Sequence, residues 1–424
     1  MKLHNQIFIA MALAAVAGWL TTEDTQILTV PLLDIYDTVG QLFISGLQMV
    51  VVPLITSAII VSMVNLAEGR DLGRLGAKTV FYYLSTSLIA VVVGLMVVNM
   101  IAPGIINGEP AGDRLGLAKD TASVLERIEG SGASDFAGII LQMVPSNLFQ
   151  AAATGQLLGL ITFSLLFGFF LRKIEGGPGE ALRHALDGLY QTMVRITLFI
   201  IRFAPLGVFG LIAATVTRTG FDAVLPLAWF FVTVLIALAL HAFVILPLAI
   251  RILGQRSPVR LIKAMTPALL TAFSTASSAA TLPLSMECVE KRAHVSRRTT
   301  SFVLPLGATV NMDGTALYEC VAVIFIAQAY GLDLTLADQF LIVIASLLTS
   351  IGVASVPAAS LVAITLILGM VGLPAEAIGL ILVTDRLLDM CRTAVNIWGD
   401  AVGATLIARH EGEEQVLSTP AEKL

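Results

Sequence analysis

Long uncharged stretches recur along the chain, from Leu3 to Thr22, Thr38 to Ala67, Thr79 to Gly108, Phe136 to Leu171, Ala223 to Ile250 and Gln339 to Ala375. Each reaches the ~20 residues that carry an α-helix across a hydrocarbon core, so the pattern predicts membrane-spanning helices. The first stretch has no clear small-residue cleavage site and the next follows within a few residues, which predicts a retained helix rather than a leader. The apolar segment from Leu189 to Val216 carries Arg195 and Arg202, seven residues apart and so on one helical face. It reads as one spanning helix whose arginines snorkel toward the interface.

Beyond Arg256 the pattern changes. Between Arg256 and Arg409 the apolar runs are interrupted by Ser, Thr, Gly, Pro and isolated acids. Irregular backbone at membrane depth is tolerated only where protein buries it or where it lines a wet cavity. Two interruptions resemble each other, Ser274 to Pro283 and Ser350 to Ser360, each a run of small and hydroxyl residues with a proline. Basic loops flank the first and base-poor segments the second. This predicts two re-entrant hairpins entering from opposite faces, with a transporter site near the midplane. Packing of small residues between helices is the alternative.

Composition narrows the class. Only 13% of the 424 residues are charged and the mean hydropathy is +0.89, whereas an ordinary soluble domain carries roughly 25% charge. Soluble enzymes, disordered chains and nucleic-acid binders are excluded, the last also by a net charge of -5. Five histidines leave little for a His-rich metal centre, and Cys288, Cys320 and Cys391 form no CxxC pair. Lys and Arg gather in alternate loops: Arg70, Arg74 and Lys78; Arg172, Lys173 and Arg183; Arg251, Arg256, Arg260 and Lys263; Lys291, Arg292, Arg297 and Arg298. The intervening loops are acidic or nearly bare, which puts the basic side and both termini in the cytoplasm.

The remaining charges carry the candidate chemistry. From Asp389, the residues Arg392, Thr393, Asn396 and Asp400 fall at +3, +4, +7 and +11, one stripe of an α-helix. A charge at the centre of a membrane helix costs roughly 2.5 to 3.5 kcal/mol on insertion scales, and this stripe holds both signs. Arg392 offers a planar fork for a carboxylate, Asp389 an acceptor for an ammonium, and Asn396 a further polar contact. A ligand with an amine and a distal carboxylate satisfies both charged residues. Asp400 has no basic residue nearby in sequence and suits a cation. Gly307 to Thr315, containing Asn311, Met312, Asp313 and Gly314, disfavours a continuous helix. Exposed carbonyls with Asp313 then make a hard-oxygen site that fits Na⁺, with no His or Cys joining it. Glu319 follows in an otherwise apolar helix, where burial favours the neutral carboxyl and makes it a candidate proton carrier. Tyr82 to Ser87 is a further polar patch, readable by itself as helix-packing hydroxyls.

Together, Asn311-Met312-Asp313-Gly314-Thr315, the two serine-rich hairpins and the Asp389 to Asp400 stripe resemble the glutamate transporter family of dicarboxylate/amino acid:cation symporters. The resemblance runs over nearly the whole chain. It implies an all-α polytopic membrane protein with eight transmembrane helices, two re-entrant hairpins and inverted repeats, working as a homotrimeric elevator. Scaffold helices 1 and 2 would occupy 1–75, transport-domain helix 3 76–108, and scaffold helices 4 and 5 109–220. The rest of the transport domain would occupy 221–424, with hairpin 1 near 256–292, helix 7 near 295–330, hairpin 2 near 336–373 and helix 8 near 375–410.

Carried over by position, the resemblance makes Arg392 the carboxylate anchor and Asp389 the amino-group ligand, with Thr393, Asn396, Thr315, Ser278 and Val356 as further substrate contacts. Gly307, Asn311, Asn396 and Asp400 would form one Na⁺ site. Thr309, Met312, Ser350, Ile351 and Val353 would form a second, and Tyr83, Thr86, Ser87, Asn311 and Asp313 a third. Glu319 matches the proton carrier of animal members. Members with that glutamate tend to counter-transport K⁺, which makes K⁺ antiport a further expectation. The chain departs from its relatives at Ala276 and Met390, where archaeal and animal members respectively carry an arginine, and at Ser360, where glycine is common. The expected activity is uptake of L-glutamate or L-aspartate across a bacterial inner membrane, coupled to Na⁺ and H⁺, with membrane lipid as the surroundings and no enzymatic step. The alternatives are a proton-coupled glutamate/aspartate carrier without Na⁺ dependence and a C4-dicarboxylate carrier, against which Asp389 argues. Neutral amino acid exchangers lack the arginine, and an intramembrane aspartyl protease would need a proton-sharing acid pair and a GxGD motif that the chain lacks.

Overall fold

The computed structural model describes residues 3–22, 24–27, 29–65, 73–115, 117, 144–154, 157–352 and 359–418. Helices dominate them, in the order α1 (Leu3–Leu20), α2 (Leu32–Asn65), α3 (Gly73–Ile101), α4 (Leu148–Thr154), α5 (Leu157–Leu171), α6 (Gly177–Ile201) and α7 (Ala204–Thr219). There follow α8 (Val224–Ile252), α9 (Pro258–Thr275), α10 (Ser278–Glu287), α11 (Arg297–Val310), α12 (Asp313–Ala329), α13 (Leu336–Gly352), α14 (Ala359–Met370) and α15 (Leu382–His410). Two short antiparallel ribbons, Gln26–Ile27 with Val30–Pro31 and Ile105–Ile106 with Glu109–Pro110, sit in the connections. The second turns through Asn107-Gly108, both at positive φ, as a two-residue hairpin turn requires.

By length and composition, Leu32–Val61, Arg74–Ile101, Val224–Ile252 and Arg297–Ala329 can each cross a bilayer. The segment from Leu189 to Val216 departs from the expected single helix. It divides into the ends of α6 and α7, which meet at 50° around Arg202 and Phe203. Pro205 explains the break, because it lacks the N–H that would bond the Ile201 carbonyl and its ring blocks that position. The described part of the Phe136 to Leu171 run comprises α4 and α5, with 136–143 and 155–156 outside the described residues.

Side-chain exposure follows the logic of lipid as solvent. Phe81, Met100, Leu42 and Phe243 face outward, whereas α12 is buried along its length apart from Gln328. A helix apolar all round belongs inside, and α12 is the post around which α3, α8, α13, α14 and α15 pack. A second group forms where α1 packs on α7 and α2 on α5, α6 and α7.

The irregular last third breaks into shorter helices. α9 and α10 pack against each other across a two-residue turn. Ala276 adopts φ 49° there, and Ser277 caps α10 by accepting from the Ala280 N–H at 3.2 Å. α13 and α14 also pack together, but Val353 and Val356 at their junction lie outside the described residues. Unwinding between α11 and α12 is narrower than Gly307 to Thr315: only Asn311 and Met312 leave helical geometry.

After α15 the chain folds back as a strap. Arg256 donates to the carbonyls of Glu414 and Val416, Arg260 to that of Leu417, and Lys78 pairs with Glu411 at 2.5 Å. That ammonium holds the Glu411 carboxyl below its ordinary range, chiefly through the hydrogen bond. Glu413 closes the start of α11 by accepting from Ser296 N at 2.7 Å, Ser296 Oγ at 2.6 Å and Thr299 Oγ1 at 2.6 Å. Replacing Glu413 with Ala should therefore destabilise the folded protein by about 1 to 2 kcal/mol, measured as a lowered thermal midpoint of the detergent-solubilised chain. Glu414→Ala, which spares the carbonyl that Arg256 uses, should leave that midpoint in place.

Candidate functional site

α15 is a continuous helix and buries Asp389, Arg392, Thr393, Asn396 and Asp400 on one stripe. Arg392 is only 1% exposed. Its Nη2 donates to Asp389 Oδ1 at 3.0 Å and to Asp385 Oδ1 at 3.2 Å, and its guanidinium carbon lies 3.8 Å from the Tyr318 ring centroid. Among the described residues, Nε and Nη1 of Arg392 have no hydrogen-bond partner. A buried guanidinium held through Nη2 alone, with Nε and Nη1 unsatisfied on either side of it, has an open donor in each of its two carboxylate forks, and both forks run through the Nη2 that Asp385 and Asp389 now share. Arg386 Nη1 stands 3.5 Å from Asp389 Oδ2.

Lower on the stripe, Asn396 ties α15 to the start of α12. Its Oδ1 accepts from the Gly314 N–H at 2.8 Å and its Nδ2 donates to Thr315 Oγ1 at 3.1 Å. Thr393 Oγ1 donates back to the Asp389 carbonyl at 2.8 Å. Gly314 is required by this close approach, since a Cβ there would lie 2.8 Å from the Arg392 carbonyl oxygen.

A cluster of oxygens surrounds the break between α11 and α12. Asn311 Nδ2 donates to Asp400 Oδ1 at 3.0 Å, and Thr86 Oγ1 donates to Asn311 Oδ1 at 3.3 Å. Ser87 Oγ donates to Asp313 Oδ1 at 2.7 Å, while Asp313 Oδ2 lies 3.1 Å from His241 Nε2. Tyr83 donates to the Val303 carbonyl at 2.7 Å. Gly307 lets these groups converge: a Cβ there would collide with the Asp400 carboxylate and lie 2.5 Å from the Tyr83 hydroxyl. The structure thus brings together Tyr83, Thr86, Ser87, Gly307, Asn311, Asp313, Asn396 and Asp400, a hard-oxygen set suited to an alkali cation. One expectation is corrected, because a histidine does join Asp313.

The other sequence-derived positions spread more widely. Glu319 is fully buried one turn beyond Thr315, where Oε2 accepts from Thr349 Oγ1 at 2.7 Å and Oε1 has no partner among the described residues. Ser278 is buried at the first turn of α10. Met312 is buried at the break, Thr309 is exposed with its hydroxyl on the Leu306 carbonyl, and Ser350 is buried near the end of α13. Ile351 continues α13. Ser360 is buried at the start of α14 and its hydroxyl has no partner among the described residues.

Sequence reasoning missed three residues. Asp385 and Arg386 lie four and three residues before Asp389, so extending the helical stripe backwards would have found them. His241 is the one titratable side chain in the Ala223 to Ile250 run, a signal lost by counting it as neutral.

A sequence profile of the sodium:dicarboxylate symporter family matches residues 3–410. The chain is 35% identical over 407 residues to a proton/glutamate-aspartate symporter of Escherichia coli (strain K12), covering 96% of this chain and 92% of that one. It is 33% identical to a proton/sodium-glutamate symport protein of Bacillus caldotenax, over 96% of this chain and 94% of that one. With excitatory amino acid transporter 3 of Oryctolagus cuniculus the identity is 34%, over 96% of this chain and 85% of the relative.

The oxygen cluster yields a direct test. Gly307→Ala should weaken Na⁺ binding by about tenfold or more, because the added methyl displaces Asp400 or Tyr83. Na⁺ titration of thermal unfolding would read this, with Gly369→Ala, which meets nothing within 4 Å, leaving the titration unchanged.

Proposed function

The chain belongs to the sodium:dicarboxylate symporter family, and from that premise we propose that it is a secondary active symporter taking up L-glutamate or L-aspartate with Na⁺ and H⁺. The observation that carries this reading is Arg392, buried on the same helix face as Asp389 with its Nε and Nη1 donors unpartnered among the described residues. Either open donor, paired with Nη2, makes a fork for the ligand's side-chain carboxylate, which takes the Nη2 contact from Asp385, and Asp389 fits the ligand's ammonium. Asn396, Thr393 and Thr315 complete the polar wall. Ser278, at the N-terminal turn of α10, is assigned to the ligand's remaining carboxylate, where the helix end favours negative charge. Val356 is assigned to the hairpin 2 side of the pocket.

Cation coupling follows from connectivity. Asn311 and Asn396 link the oxygen cluster to the stripe, so a cation that orders Asp313 and Asp400 also orders the start of α12 beneath Arg392. By linkage, whatever the cation adds to ligand affinity the ligand returns to the cation. We assign one Na⁺ to Gly307, Asn311, Asn396 and Asp400, and a second to Tyr83, Thr86, Ser87, Asn311 and Asp313. A third is assigned to carbonyls of Thr309, Met312, Ser350, Ile351 and Val353. Glu319 is the assigned proton carrier. The names of the Bacillus caldotenax and Escherichia coli relatives support coupling to both ions. The second of these favours a proton-only alternative, which Na⁺-independent uptake would select.

The working unit we propose is a homotrimer in the bacterial inner membrane with cytoplasmic termini, eight transmembrane helices and two hairpins. Residues 1–75 and 109–220 form its scaffold, and 76–108 with 221–424 move as an elevator. Support for this division comes from α1, α2, α5, α6 and α7 packing on one another while α3 packs on α12 and α8.

Proteoliposome uptake under independently imposed Na⁺, H⁺ and K⁺ gradients tests the coupling, the K⁺ arm reading counter-transport. Arg392→Ala should raise the KM for aspartate and glutamate at least about 100-fold, since a buried site built for a carboxylate loses both donors. Transport of neutral amino acids without competition by either acidic one would defeat the reading. Glu319→Gln should flatten the pH dependence of net uptake, and an unchanged profile would reject Glu319 as the proton carrier.

A further inference from the structure

Asp385 and Arg386 are adjacent in sequence and opposite in charge, and each reaches the stripe residue of the other sign. Asp385 Oδ1 accepts from Arg392 Nη2 at 3.2 Å, and Arg386 Nη1 stands 3.5 Å from Asp389 Oδ2. With the 3.0 Å bond between Arg392 and Asp389, the four side chains alternate in sign as Asp385, Arg392, Asp389, Arg386. Two acids and two bases leave no net formal charge. An acidic amino acid presents the same two groups to the same two residues, a carboxylate to Arg392 and an ammonium to Asp389.

We infer that Asp385 and Arg386 are the internal counter-ions of the empty cradle, standing in for the ligand's carboxylate and ammonium until the ligand arrives. The inference rests on the assignment of Arg392 and Asp389 as ligand partners. Three observations carry it. Both contacts are replaceable: Asp385 engages one corner of Arg392, and 3.5 Å is longer than the roughly 2.7 to 2.9 Å of a strong charged hydrogen bond. Burial is graded, with the side chains of Arg392 and Asp385 1% and 6% exposed but those of Asp389 and Arg386 12% and 14%. Arg386 therefore stands where an entering ammonium can displace it outward. Its Nε has no partner among the described residues.

The consequence concerns the half of the cycle without ligand. Buried charges are tolerated in a membrane protein only when paired. A symporter that accumulates its ligand must return with the cradle empty, and Arg392 and Asp389 must then be neutralised from within the chain. Arg386 and Asp385 do this, so they matter for the return step and not for loaded carriers. Net uptake uses both steps, whereas exchange of ligand for ligand uses only loaded carriers.

The test compares the two fluxes of labelled L-aspartate and L-glutamate in proteoliposomes containing the full chain. Arg386→Gln should cut net uptake about tenfold or more while exchange stays within about twofold of wild type, and Arg386→Lys should restore net uptake. Asp385→Asn, which keeps an acceptor but no charge, should divide the fluxes in the same sense and serves alone if Arg386→Gln is not recovered folded. Parallel loss of both fluxes, or undiminished net uptake, would overturn the counter-ion role. Wild-type protein moving neither acidic amino acid would instead overturn the functional reading on which it rests.

Discussion

A charge inside a membrane has to be matched from within the protein, and this requirement organises the half of the molecule built around α12. Arg392 is the extreme case: it is among the largest fully buried side chains and carries a permanent charge. Two carboxylates and an aromatic face enclose it. Those partners demand that α12, which contributes Tyr318, lie directly against α15. The small residues Gly307 and Gly314 allow the necessary closeness, and Asn396 pins the two helices at a fixed height. The packing around α12 is thus set by electrostatic need as much as by apolar burial.

The same constraint separates two tasks along one helix. At the upper end of the stripe, charges of both signs neutralise one another, which suits a ligand that also carries both. At the lower end, Asp400 and Asp313 are met by Asn311, Ser87 and His241 and by no lysine or arginine among the described residues. Acid in excess over base, with carbonyls nearby, leaves an electrostatic demand that a small cation answers. Asn396 lies between the two ends and contacts the residue after Asp313, so one amide joins them structurally.

Much of this was legible from spacing alone. The run Asp389, Arg392, Thr393, Asn396, Asp400 could be placed on one face because helical periodicity is local and rigid. The turn between α9 and α10 was visible because Ala276 and its neighbours break an apolar run in a way a spanning helix would not. What the sequence did not disclose depends on contacts between distant segments. The bend at Arg202 required weighing Pro205 against the hydropathy of its surroundings. The meeting of His241 with Asp313, 72 residues apart, has no local signature. The strap after α15 was equally invisible, since Arg256 and Arg260 read as ordinary loop bases yet bind carbonyls near the end of the chain.

His241 opens a π-helical turn, His241 to Ile245, within α8. Such a turn adds one residue to the helix and offsets the faces above and below it by about 100°. The Leu246 N–H bonds the His241 carbonyl, and the residue five beyond Ala242 is Pro247, which has no N–H to give. The Ala242 carbonyl accepts instead from the Trp398 indole at 2.9 Å, on the stripe-bearing helix. One residue of chain length therefore sets the angular phase of α8, aiming a ring at Asp313 and a carbonyl at Trp398 together. Deleting a single residue there would rotate both out of reach while leaving every side chain of the candidate site chemically intact, so helix phase is itself a determinant of this site.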